Sequence, residues 1–102
     1  MRSTRQDILS SLKKLKGEVE KEYSVKTIGV FGSVARNEET GQSDIDLLVT
    51  FAKKKSLLAV VKLEREISTA LGKKVDVLTE AAISPYLRDR ILGELQVIYE
   101  AG

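Results

Sequence analysis

"FGSVARNEETGQSDIDLLV", Phe31 to Val49, is the stretch that decides the fold. It joins the end of one β-branched apolar run, Val25–Phe31, to the start of another, Asp44–Phe51. Both runs read as strands, the first ending at Gly32. The link from Gly32 to Ser43 is about a dozen residues, whereas a parallel crossover usually holds a full helix. An antiparallel pair is therefore expected, which puts Gly32-Ser33 and Asp44 at one end of the sheet. Residues i and i+2 of a strand share a face, so Asp44 and Asp46 point the same way. Two carboxylates so placed repel each other and are costly to bury unless something positive lies between them.

Working outward, Ile8, Leu12, Leu15 and Val19 recur at helical spacing between Ser3 and Ser24, with Ser3 or Thr4 placed as cap. Ser33–Glu38 suits a short helix, followed by a polar turn through Thr40-Gly41-Gln42. A long helix is expected from Ser56 as N-cap to Gly72 as its stop. Leu57, Val60, Val61, Glu64, Ile67 and Leu71 mark its flanks, the apolar positions facing the sheet. Lys74–Thr79 reads as a third strand. Ser84-Pro85 opens a helix to about Leu92, and Glu94–Glu100 reads as a fourth strand. The fold class is α/β, a small mixed sheet of about four strands with flanking helices. Residues 1–102 suit one compact domain.

Composition excludes more than it selects. A chain 42% hydrophobic and 31% charged is globular rather than disordered. With no cysteine and no histidine, thiolate and imidazole chemistry are ruled out. Any metal must be held by oxygen, which points to hard cations such as magnesium. No apolar stretch approaches the ~20 residues that span a bilayer. The N-terminus lacks the apolar segment of a secretory signal, so a cytoplasmic location is expected. A net charge of +2 and scattered aromatics argue against direct nucleic-acid binding. Lys53-Lys54-Lys55 reads as a solvated turn rather than a phosphate patch.

Asp76 is a third lone carboxylate in an apolar strand. If its strand neighbours the second one, Asp44, Asp46 and Asp76 form a cluster able to bind two magnesium ions. Gly32 lets a backbone approach a phosphate closely, Ser33 adds a hydroxyl, and a helix opening there favours an anion. Each signal is weak alone. A Gly-Ser pair is usually a turn, and an Asp at a strand start usually caps a loop. Their combination, strand-Gly-Ser, then D-x-D-strand, then strand-Asp, favours the chemical reading. Neither standard glycine-rich phosphate fingerprint is present.

At these residues the sequence resembles the minimal nucleotidyltransferases of the DNA polymerase β-like superfamily. "GSVARNEETGQSDIDLLV", Gly32–Val49, matches the pattern G-S-x-A-R-G, a polar loop, then S-D-[IL]-D-L. The tail "SPYLRDRILGELQVIYEAG" is similar as well, so the resemblance runs from Thr27 to the end. One departure is Asn37, where the family commonly has glycine; asparagine is the next best residue at positive φ. The resemblance implies a nucleotidyltransferase fold, two Mg2+ ions and ATP as donor. It implies that Asp44 and Asp46 ligate both metals and that Asp76 binds only the catalytic one. Gly32 and Ser33 would hold the β- and γ-phosphates. Arg36 would either contact phosphate or brace the loop by pairing with a carboxylate. Similar small chains are antitoxins of HEPN/MNT toxin–antitoxin systems. By resemblance, this one would attach AMP to a tyrosine hydroxyl of a HEPN-domain toxin. The alternatives are an antitoxin that masks its partner without catalysis, and transfer to a small molecule or an RNA 3′ end. Self-association and association with the partner both stay open.

Overall fold

The computed structural model describes residues 6, 10, 23–32, 35–36 and 44–100. Its elements are β1 (Val25–Phe31), β2 (Ile45–Phe51), α1 (Leu57–Leu71), β3 (Val75–Thr79), a 3-10 turn (Glu80–Ala82), α2 (Pro85–Glu94) and β4 (Gln96–Glu100). Most of the expected N-terminal helix lies outside the described residues, although Gln6 and Ser10 within it are helical. Most of the expected short helix at Ser33–Glu38 and all of the turn at Thr40–Gln42 also lie outside them.

The four strands form one mixed sheet in the order β3-β2-β1-β4. β1 runs antiparallel to β2, as the short link between them requires, and antiparallel to β4. β2 and β3 are parallel, joined by α1 as a helical crossover. The sheet is apolar on both faces. Ile28, Val30, Ile45, Leu47, Val49 and Val75 are buried with Leu63 and Ile67 of α1 on one face. On the other, Leu48 packs with Ile83 and Ile91, backed by Phe31, Leu78 and Leu95.

Ser56 caps α1, its Oγ accepting from the Ala59 amide at 3.3 Å, and Gly72 stops the helix in a left-handed conformation at φ 70°. The stripe facing the sheet differs from expectation. Leu63, absent from the expected set, is fully buried beside Ile67, whereas Leu57 is 78% exposed and Val61 42%. Spacing explains the correction, because Val60, Leu63, Ile67 and Leu71 line one helical face and Leu57 and Val61 fall off it. α1 also closes the free edge of β3. Ser68 Oγ accepts from the Val75 amide at 3.1 Å, and Glu64 Oε2 from the Val77 amide at 2.8 Å. Side chains thereby take outward amides that would otherwise template another strand.

α2 starts where Ser84-Pro85 places it but runs to Glu94 instead of about Leu92. Gly93 does not stop it, since a helical glycine costs only about 1 kcal/mol. The fourth strand accordingly begins at Gln96 rather than Glu94. This shift of two residues makes Glu94 the last residue of a helix, with consequences at the end of β1.

Candidate active site

The site is assembled by strand register. Across the antiparallel pair Phe31, the last residue of β1, lies opposite Asp46. Across the parallel pair Asp46 lies opposite Asp76. Alternation then sets both acids on the sheet face that carries Leu48 and Leu78, with Ile45, Leu47, Val75 and Val77 on the other. Asp44 precedes β2 by one residue. Its Oδ2 lies 3.6 Å from Lys74 Nζ, while the Ile45 amide donates to the Lys74 carbonyl at 3.1 Å. That backbone bond joins the starts of β2 and β3, so Asp44, Asp46 and Asp76 all lie at the same end of the sheet.

Electrostatics register the convergence. The Asp46 carboxyl is pushed above the usual carboxylate range, first by burial, then by the charges of Asp76 and Asp44. Arg36 opposes this and Glu94 adds to it. Among the described residues no three acids have their side chains gathered to the spacing of a finished metal shell. Fit to hard cations therefore rests on the register, on an all-oxygen donor set and on mutual repulsion that a cation would relieve. On those grounds the residues suit magnesium.

Gly32 completes the site from the β1 side. Its φ is +73°, the left-handed region that favours glycine, and a Cβ on it would run into the Asp46 carboxylate. Backbone and Asp46 carboxylate are in contact because no side chain intervenes. Ser33 lies outside the described residues. Arg36 returns to Gly32, its amide donating to the Gly32 carbonyl at 3.2 Å.

Of the two readings of Arg36, the brace is the one seen. Its Nη1 donates to Glu94 Oε2 at 2.9 Å, and the Gly32 amide donates to Glu94 Oε1 at 3.1 Å. These bonds hold the Glu94 carboxyl below its ordinary range, Arg36 contributing most. Gln96 Nε2 donates to the Ala35 carbonyl at 3.2 Å. Sequence reasoning missed Glu94 and Gln96. The only local signal was a charged residue at the boundary between a helix and a strand.

A cavity of about 520 Å3 opens at the other end of β2, lined by Thr50, Phe51, Lys54, Lys55, Thr79 and Arg88 among others. None of the three aspartates lines it, so its size does not make it the seat of the chemistry.

A family model described as nucleotidyltransferase domain matches residues 12–98. A Methanocaldococcus jannaschii protein provisionally named a protein adenylyltransferase is 54% identical over 72 residues, which is 71% of this chain and 77% of the relative. The protein adenylyltransferase MntA of Thermococcus cleftensis is 35% identical, over 90% of this chain and 93% of the relative. A solved structure provisionally described as a minimal nucleotidyltransferase superposes with a TM-score of 0.69 at 34% identity, covering 86% of this chain and 93% of that one. A toxin–antitoxin crystal structure with AMP-PNP gives 0.72 at 21% identity, covering 95% and 73%. At that identity the likeness speaks to the fold alone.

Proposed function

The chain belongs to the nucleotidyltransferase domain family, and on that premise we propose that it moves AMP from ATP to a tyrosine hydroxyl of a HEPN-domain toxin, acting as the antitoxin. The observation that carries this reading is the register Phe31–Asp46–Asp76, which sets two acids side by side next to a glycine turn. The adenylyltransferase names of relatives that match over most of their length support the donor and the group transferred. Toxin–antitoxin complexes among the structural neighbours support the partner. A cytoplasmic location is part of the proposal. No helix among the described residues is long and apolar enough to cross a membrane. We take residues 1–102 as one nucleotidyltransferase domain.

In this reading Asp44 and Asp46 would hold two magnesium ions and Asp76 the catalytic one. Bound there, magnesium supplies positive charge that offsets the triphosphate and favours an ionised acceptor oxygen. The acceptor oxygen forms a bond to the α-phosphorus as the bond to pyrophosphate breaks, and the hydroxyl proton is released. Gly32 lets the phosphates lie close to the backbone. Its own amide is taken by Glu94, so donors to the phosphates would start at Ser33, while Arg36 braces the turn through Glu94. The acid cluster and the glycine turn lie side by side, so a triphosphate would lie over both rather than between them.

Incubating the protein with ATP, magnesium and a HEPN-domain partner tests this by mass spectrometry. A gain of one AMP on a partner tyrosine is the expected result. AMP on a small molecule or an RNA 3′ end instead would reassign the acceptor. Neutralisation of the partner by an Asp44→Asn/Asp46→Asn variant, with no transfer, would replace catalysis by masking.

A further inference from the structure

We propose that Glu94 and Gln96, at the junction of α2 and β4, are positioning residues that hold Gly32, Ala35 and Arg36 in place beside the site that receives the nucleotide's phosphates; this rests on the nucleotidyltransferase reading above.

The clamp is a closed ring of hydrogen bonds. Arg36 and Gly32 are joined through the main chain, by the Arg36 amide on the Gly32 carbonyl at 3.2 Å. They are joined a second time through Glu94, which takes the Gly32 amide with Oε1 and the Arg36 guanidinium with Oε2. Gln96 holds the intervening Ala35 carbonyl. These side-chain bonds thus land on residues that follow β1, Glu94 reaching them from the last residue of α2 and Gln96 from the first residue of β4.

A second observation explains how the junction comes to lie there. An ideal Cβ on Gly29 would sit 2.6 Å from Leu95 Cδ1 and 2.9 Å from its Cγ. The bare glycine lets Leu95 lie directly on β1, within the apolar cluster of Leu48, Ile83 and Ile91. Leu95 seated on Gly29 carries Glu94 to Gly32 and Gln96 to Ala35, three and six residues further along. Gly29 and Gly32 therefore act as a pair, one admitting the clamp's anchor and the other accepting its grip.

The clamp serves function more than stability. The Arg36–Glu94 pair is partly solvated, with 37% and 20% of the side chains exposed, and such pairs add little to folding. What it fixes is local: the left-handed turn at Gly32 and the position of the Arg36 guanidinium.

The test is calorimetric titration with ATP and magnesium, well below the melting temperature, on the wild type, Glu94→Gln, Glu94→Ala and Gln96→Ala. Glu94→Ala is expected to weaken binding about tenfold, the loss of one charge-assisted contact at each end of the segment. Glu94→Gln should fall between, since its amide oxygen still accepts from Gly32 but its amide nitrogen cannot accept from Arg36. Gln96→Ala should cost less, and the double alanine variant less than the product of the singles, because one segment is being released twice. Hydrogen exchange at the Gly32 amide should quicken in Glu94→Ala. Wild-type affinity in Glu94→Ala overturns the proposal. So does a loss that simply tracks melting temperature across the variants. Failure of the wild type itself to bind would instead remove the nucleotide reading.

Discussion

Asp46 and Asp76 are register partners across the only parallel strand pair among the described residues, and they lie on the face of the sheet where Leu48 and Leu78 pack. Two chain segments some thirty residues apart in sequence thus bring like charges together at an apolar border. Neither hydrophobic packing nor strand pairing requires this. A ligand carrying positive charge gives it a purpose.

The first consequence concerns pH. The folded-state pKa of Asp46 is raised above its ordinary 3.8, so the folded protein binds that proton more tightly than the unfolded chain. Stability without metal should then fall as pH rises from about 3.8 through the raised value, and level off above it. Asp46→Asn removes that loss and should melt higher than wild type at neutral pH, while transfer drops about a hundredfold or more. A lower melting temperature would contradict it.

Glu94 titrates the other way. Its folded value lies below the ordinary 4.5, so the stabilisation is present above that pH and disappears as pH falls through the lowered value. Glu94→Gln should flatten the acid limb of the stability curve. The neutral-pH loss should be no more than about 1 kcal/mol, as for a partly solvated pair.

Asp76→Ala is expected to abolish transfer while leaving metal-supported ATP binding largely intact, because only one ion depends on it. Carboxyl chemical shifts followed by NMR should also show the Asp46 pKa fall in this variant, since Asp76 is the largest charge acting on it. An unmoved Asp46 titration would place Asp76 outside the site.

Gly32 and Gly72 offer a controlled pair. Both have left-handed φ, +73° and +70°, but a Cβ at Gly72 meets nothing within 4 Å while one at Gly32 meets the Asp46 carboxylate. Gly72→Ala should cost about 1–2 kcal/mol for the backbone alone. Gly32→Ala should cost about 1–3 kcal/mol more, from steric overlap, and should lose nucleotide binding. Equal melting curves for the two variants would count against the contact.

How much of this was legible in the sequence depended on distance along the chain. The length of the Gly32–Ser43 link dictated an antiparallel pair, and period-two alternation put Asp44 and Asp46 together. Asp76 needed one more fact, that its strand sits beside β2, which the 15-residue α1 supplies as a crossover. The stripe of α1 was misread at Leu57 and Val61 and missed at Leu63. Several apolar residues near the N-terminus of α1 fit more than one helical face, and only packing selects among them. Glu94 was illegible, because its partner Gly32 lies 62 residues away and the helix end that aims it was expected two residues earlier. Arg36 was legible as important but not in its role until that partner was in place.

The most direct measurement is a crystal structure with manganese in place of magnesium and a non-hydrolysable ATP analogue, with the metals located by anomalous scattering. The expected result is metal coordinated by Asp46 together with Asp44 and Asp76, with the triphosphate lying over Gly32. Metal peaks that avoid Asp46, or a nucleotide seated in the cavity at the Lys54–Lys55 end of β2, would contradict it.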